Sequence, residues 1–141
     1  MFAVIFEYSV ITVFGGSSYM VLEILWRNHT HWSMGICGGL CFLCIYCIEN
    51  RFPKMHMLNK CIMCTLVITL LELITGCIVN IAFDLNVWDY SDRPLNLFGQ
   101  ICLLFSLLWF LLSIPALKLA SYIKNTFFSQ KTTCNNTSAE I

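Results

Sequence analysis

Glu72 lies near the centre of an apolar run, 61–83, that carries no other charge. A carboxyl that deep in hydrocarbon costs about 2.5 kcal/mol or more, so it faces a bundle interior, a partner or a water-filled path. Two duties fit such a residue. It can serve proton or substrate movement, or, as a neutral glutamic acid, donate a hydrogen bond that joins helices. Glu72, Gly76 and Asn80 repeat every four residues, which sets a carboxyl, a gap and an amide on one helical stripe. No Lys or Arg shares its depth, and the neighbours expected for Glu72 are Ser17, Tyr19 and Ser106.

A second constellation is Gly16, Tyr19, Glu23 and Arg27, spaced by three or four and so on one face of a first helix. Glu23 and Arg27 are placed for an i,i+4 ion pair, alone worth a few tenths of a kcal/mol. A third is the run Val87-Trp88-Asp89-Tyr90-Ser91-Asp92-Arg93-Pro94, followed by Asn96, Gly99 and Gln100. Trp88 and Tyr90 suit the membrane interface, Asp92 is expected to cap a fourth helix and Pro94 to occupy its first turn. Asn96 and Gln100 are then expected one and two turns inside that helix, on the side where Glu23 and Asn80 end. Together these residues would form a polar pocket of Tyr19, Glu23, Arg27, Trp88, Asp89, Tyr90, Asn96 and Gln100, reaching past Asn80 to Glu72.

Helices must position them. Segments 3–25, 32–48, 58–83 and 95–117 approach the roughly 20 apolar residues a membrane span requires. The chain is 58% hydrophobic and 11% charged with mean hydropathy +0.75, which is the balance of an integral membrane protein. Its zero formal net charge and lack of a basic stripe argue against nucleic acid as a partner. The opening Met1-Phe2-Ala3 has no basic residue and Glu7 follows, so the first segment is expected to be a retained helix rather than a cleaved signal.

The expected fold class is therefore all-α: a polytopic membrane protein with four transmembrane helices in a small bundle. A short amphipathic surface helix at 118–130, with Leu119, Ile123 and Phe127 at helical spacing, and a disordered polar tail at 131–141 are expected to follow. Six of the eight Lys and Arg residues, Arg51, Lys54, Lys60, Lys118, Lys124 and Lys131, fall in the second connection or after the last span, against Arg27 and Arg93 in the other two. That asymmetry predicts cytoplasmic termini.

Eight of nine cysteines lie in or beside apolar segments, where a thiol behaves as a small hydrophobe. The pairs Cys44-x-x-Cys47 and Cys61-x-x-Cys64 have the spacing of a zinc site but lie in apolar helix rather than in a polar knuckle, so no metal is expected. No phosphate-binding glycine loop, nucleophile elbow or dinucleotide fingerprint occurs, and no cofactor is expected.

The order Gly16-Ser17-Ser18-Tyr19 through Glu23 and Arg27, then Gly38-Gly39, and above all Trp88-Asp89-Tyr90-Ser91 followed by Pro94-Leu95-Asn96-Leu97-Phe98-Gly99-Gln100, resembles the small bacterial membrane family called "putative ABC-transporter type IV", or CmpB-like. The resemblance implies a multi-helix, permease-like protein of the plasma membrane. Since the chain has no nucleotide-binding motif, it also implies a partner subunit such as a separate ATPase, or a homo-oligomer. Two other classes fit the same residues. One is a membrane-embedded enzyme on a lipid or envelope precursor, with Glu23, Glu72 or Asp89 as general acid or base. The other is a non-catalytic membrane partner.

Overall fold

The computed structural model describes residues 2–128. Four helices dominate: α1 (Phe2–Arg27), α2 (Trp32–Arg51), α3 (Met57–Gly76) and α4 (Leu103–Ile123). A π-helical turn, Cys77–Ala82, prolongs α3, and another, Lys124–Phe128, prolongs α4. With those extensions all four are long and apolar enough to cross a membrane, as a multi-pass membrane protein requires. Between α3 and α4 a minimal antiparallel hairpin sets β1 (Asn96–Leu97) against β2 (Ile101–Cys102), with Asn96 opposite Cys102.

Two histidines in the connections start helices. The His31 and His56 rings accept from the Ser33 and Leu58 amides, each at 3.3 Å, satisfying orphan donors at the first turns of α2 and α3. The α1 and α2 backbones meet through glycine. A Cβ on Gly38 would stand 2.6 Å from the Cβ of Tyr19, and one on Gly39 would stand 2.6 Å from the Thr12 carbonyl oxygen. In hydrocarbon this close approach takes the place of the hydrophobic effect as the source of packing energy.

Toward Phe2 and Phe128 the four helices close around Ile11, Tyr46, Cys61, Cys64, Leu117 and Ala120, all fully buried. Here the thiols fill space, and all eight described cysteines are free. Polar groups at this end are paired: the Tyr46 hydroxyl donates to Glu7, and Lys60 donates to Glu49 at 2.8 Å and to the Pro53 carbonyl at 3.3 Å. Lys60 is only 4% exposed, so this cation is spent inside the protein rather than on lipid headgroups.

Two expectations about the fourth segment are corrected. Its helix begins at Leu103, not at 95, because Leu95, Phe98 and Gly99 adopt left-handed backbone angles (φ 54°, 54° and 67°) that no right-handed helix admits. At the other end no separate amphipathic helix stands among the described residues. The segment from Lys118 onward prolongs α4 through Pro115, and it buries Ala120 and Ile123 against the bundle while Phe127 is exposed. Residues 129 and 130 and the polar tail expected at 131–141 lie outside the described residues.

The glycine contact yields the first prediction. Gly39→Val drives a side chain into the α1 backbone and should destabilise the protein by about 1–3 kcal/mol, the usual range for overpacking. Thermal unfolding in detergent should show a lower midpoint. An unchanged midpoint would mean that α1 and α2 are not held at this distance.

Candidate functional site

At the end of the bundle opposite Phe2 and Phe128, the connection 83–102 folds back onto the helices, and Asn80 receives it. The Asn80 amide donates to the Trp88 carbonyl at 2.9 Å and to Gln100 Oε1 at 2.8 Å, while its Oδ1 accepts the Val87 amide at 2.7 Å. The Trp88 indole N–H reaches the Gln100 carbonyl at 3.0 Å. Asn80, Trp88 and Gln100 are all buried. One helical turn below, Gly76 makes the seat: a Cβ there would lie 2.5 Å from Gln100 Oε1. The gap and the amide read on one stripe of α3 are thus the socket for a loop.

Asn96 and Gln100 are not helical, which corrects their expected placement. Asn96 is exposed and donates to the Ser91 and Arg93 carbonyls at 3.1 and 2.8 Å, an alternative to helix that short amide side chains offer the backbone. Gln100 points inward to Asn80. Asp92 and Pro94 belong to the preceding turn, so neither starts α4; Cys102 precedes that helix without a side-chain cap. Asp89 is exposed and turned onto its own loop. Its carboxylate accepts the Ser91 amide at 2.8 Å and the Ser91 hydroxyl at 2.6 Å, bonds that hold it below the usual carboxylate range.

Glu23 and Arg27 pair at 3.0 Å as their spacing requires, with Glu23 buried. Arg27 also donates to the Val87 carbonyl at 2.8 Å, and the Thr30 hydroxyl donates to Glu23. The pair therefore clamps the end of α1 to the returning loop, beyond what an isolated surface pair would do.

Glu72, 4% exposed, has different neighbours from those expected. One oxygen accepts the Trp109 indole N–H at 2.9 Å and the other accepts the Tyr90 hydroxyl at 3.3 Å. Ser106 is occupied by Thr69 at 3.3 Å, Ser17 is exposed, and Tyr19 approaches through its ring, 6.0 Å from that of Trp109. Tyr90 stacks on Phe105 with centroids 4.5 Å apart, and its burial pushes the phenol above its ordinary range. Trp109 was legible in principle, because an indole N–H in the middle of an apolar segment must find an acceptor. Phe105 carried no comparable signal.

These residues border a groove between α1 and α4, helices that pack chiefly on α2 and α3 rather than on each other. Its inner part is an apolar cleft of about 260 Å³ with Glu72 and Trp109 in its wall. Its mouth, about 520 Å³, is bordered by Glu23, Arg27, Asp89, Tyr90 and Arg93. Tyr19, Leu22, Trp109 and Leu112 belong to both parts and join them. The structure thus brings Tyr19, Glu23, Arg27, Trp88, Asp89, Tyr90 and Glu72 to one groove, while Asn80, Asn96 and Gln100 build the loop beside it.

The family model described as "Putative ABC-transporter type IV" matches residues 33–138, which takes in α2, α3, the returning loop and α4. No curated protein and no solved structure matches the chain.

The socket predicts a ranking. Asn80→Ala leaves the Val87 amide, the Trp88 carbonyl and the Gln100 amide oxygen without their partner and should cost about 3 kcal/mol, whereas exposed Asn96→Ala should cost about 1 kcal/mol or less. Unfolding in micelles, followed by Trp88 emission, distinguishes the two. Equal losses would show that the loop does not hang from Asn80.

Proposed function

This chain belongs to the family described as "Putative ABC-transporter type IV", and on that premise we propose that it is the permease-like subunit of a transporter of the bacterial plasma membrane, receiving its substrate in the groove between α1 and α4. The observation that carries the reading is the continuity of that groove, from a charged mouth to Glu72 inside a span. A buried carboxyl bordering a cleft is where a membrane protein handles an ion or a substrate.

Charge supports an orientation with the mouth outward. Arg51, Lys54, Lys118 and Lys124 lie toward the end that bears Phe2 and Phe128, even with Lys60 neutralised by Glu49, and Arg27 and Arg93 lie at the mouth. Residues 1–141 hold no phosphate-binding loop, so on this reading ATP hydrolysis is supplied from outside them, and the four spans among the described residues need a partner or a second copy to enclose a path.

Purification from native membrane under mild conditions should bring down an ATPase, and proteoliposomes holding the complex should show ATP-dependent flux. A solitary monomer with no ATPase and no flux would overturn the proposal. Glu72→Gln keeps an amide oxygen for the Trp109 indole but removes the ionisable group. It should lower flux at least tenfold with little change in unfolding temperature; unchanged flux would remove Glu72 from the path.

A further inference from the structure

At the loop end of the bundle α3 and α4 do not reach the same depth. Exposed apolar side chains mark the outer stripe of α3 and its π turn: Ile62, Leu66, Leu70, Ile74, Ile78 and, just beyond, Phe83. From Ile62 to Phe83 is 21 residues, about 32 Å at the helical rise, which matches the roughly 30 Å of bilayer hydrocarbon. α4 is tied to α3 where the Thr69 and Ser106 hydroxyls meet at 3.3 Å. From that contact α4 runs only three residues toward the loop end, to Leu103, or about 4.5 Å, whereas α3 and its π turn run 13 residues to Ala82, about 19 Å. α4 therefore starts about 15 Å short of the end of α3, the depth of one leaflet's hydrocarbon.

The connection fills that space. A Cβ built on Gly76 would stand 2.9 Å from the Cβ of Gln100, which puts loop backbone at the level of Gly76, six residues or about 9 Å below Ala82. Irregular backbone is tolerated at such depth only when its polar groups find partners inside the protein. The carbonyls of Leu97, Phe98 and Gly99 all do: they accept the Gln100 amide at 3.0 Å, the Gln100 side-chain amide at 3.0 Å and the Tyr90 amide at 2.7 Å. Beside these bonds three large apolar side chains are left uncovered. Leu95, Leu97 and Phe98 are 76%, 46% and 71% exposed. None of them borders the groove, whereas Asp89, Tyr90 and Arg93 of the same connection do.

We infer that the hairpin between α3 and α4 is a re-entrant element whose tip, Leu95, Leu97 and Phe98, packs against the acyl chains of the leaflet at the loop end. Depth selects this partner, because acyl chains are the medium at the level of Gly76 and the tip offers them hydrocarbon alone. An aqueous loop would leave the three side chains in water and the leaflet beyond Leu103 unmatched. The fourth crossing is thus completed by two kinds of structure, hairpin in one leaflet and helix in the rest. The hairpin also stands as a wall with lipid on one side and the groove mouth on the other.

The test replaces Phe98 with the photocrosslinker p-benzoylphenylalanine in the full chain, held in phosphatidylcholine nanodiscs and irradiated. Mass spectrometry should find one phosphatidylcholine joined through an acyl chain. The yield should match that of the same replacement at Leu111, 61% exposed on α4, and exceed by about tenfold that at Asn86, exposed where the connection leaves α3. Three results would overturn the inference: no lipid adduct at position 98, attachment through the choline headgroup alone, or a cross-link to a second copy in place of lipid. If the chain altered at Phe98 does not fold, the same replacement at Leu97 decides by the same readout. The measurement needs neither ATPase nor flux, so its outcome is separate from that of the transport reading.

Discussion

Hydrocarbon offers no water to unpaired backbone, and the returning loop between α3 and α4 exists only because that requirement is met from within the protein. Asn80 supplies both donors and an acceptor to Val87, Trp88 and Gln100, and Gly76 leaves the space for Gln100 to reach it. Arg27 adds a charged donor to the Val87 carbonyl from the other side. Irregular backbone at a membrane surface becomes an ordered wall in this way, and both the mouth of the groove and the partner of Glu72 depend on it.

Tyr90 carries the consequence inward. It sits in the loop, stacks on Phe105 at the start of α4 and places its hydroxyl on Glu72, while Trp109 holds the opposite oxygen. Glu72 thus has two donors from two elements that the loop and α4 bring together. Held in this way it is stable without a cationic partner, and it still borders a cleft. The glycine contact between α1 and α2 works on the other flank. By tying α1 tightly to α2, it leaves the space facing α4 open as the groove.

Much of the candidate site was legible from spacing. Glu23 with Arg27, and Glu72 with Gly76 and Asn80, share faces because a helix repeats every 3.6 residues whatever surrounds it. Asn96 and Gln100 were misplaced for the converse reason. Their i,i+4 spacing inside an apolar stretch is equally consistent with helix, and the left-handed angles at Leu95, Phe98 and Gly99 follow from how the loop docks rather than from local preference. Leu and Phe have no intrinsic reason to adopt positive φ. α4 also runs through Pro115, since losing one backbone bond is outweighed by burying Leu117, Ala120 and Ile123.

What the sequence by itself determined is the set of four apolar spans, their order and the polar stripes upon them, because length, hydropathy and helical period are properties of each segment alone. Which stripe meets which partner was decided only by the tertiary structure. Asn80 reaches a loop rather than a helix, Glu72 takes Trp109 and Tyr90 in place of Ser106, and α1 stands off from α4. These outcomes depend on distances between segments far apart in the chain, where a hydrogen bond forms or fails within a few tenths of an ångström.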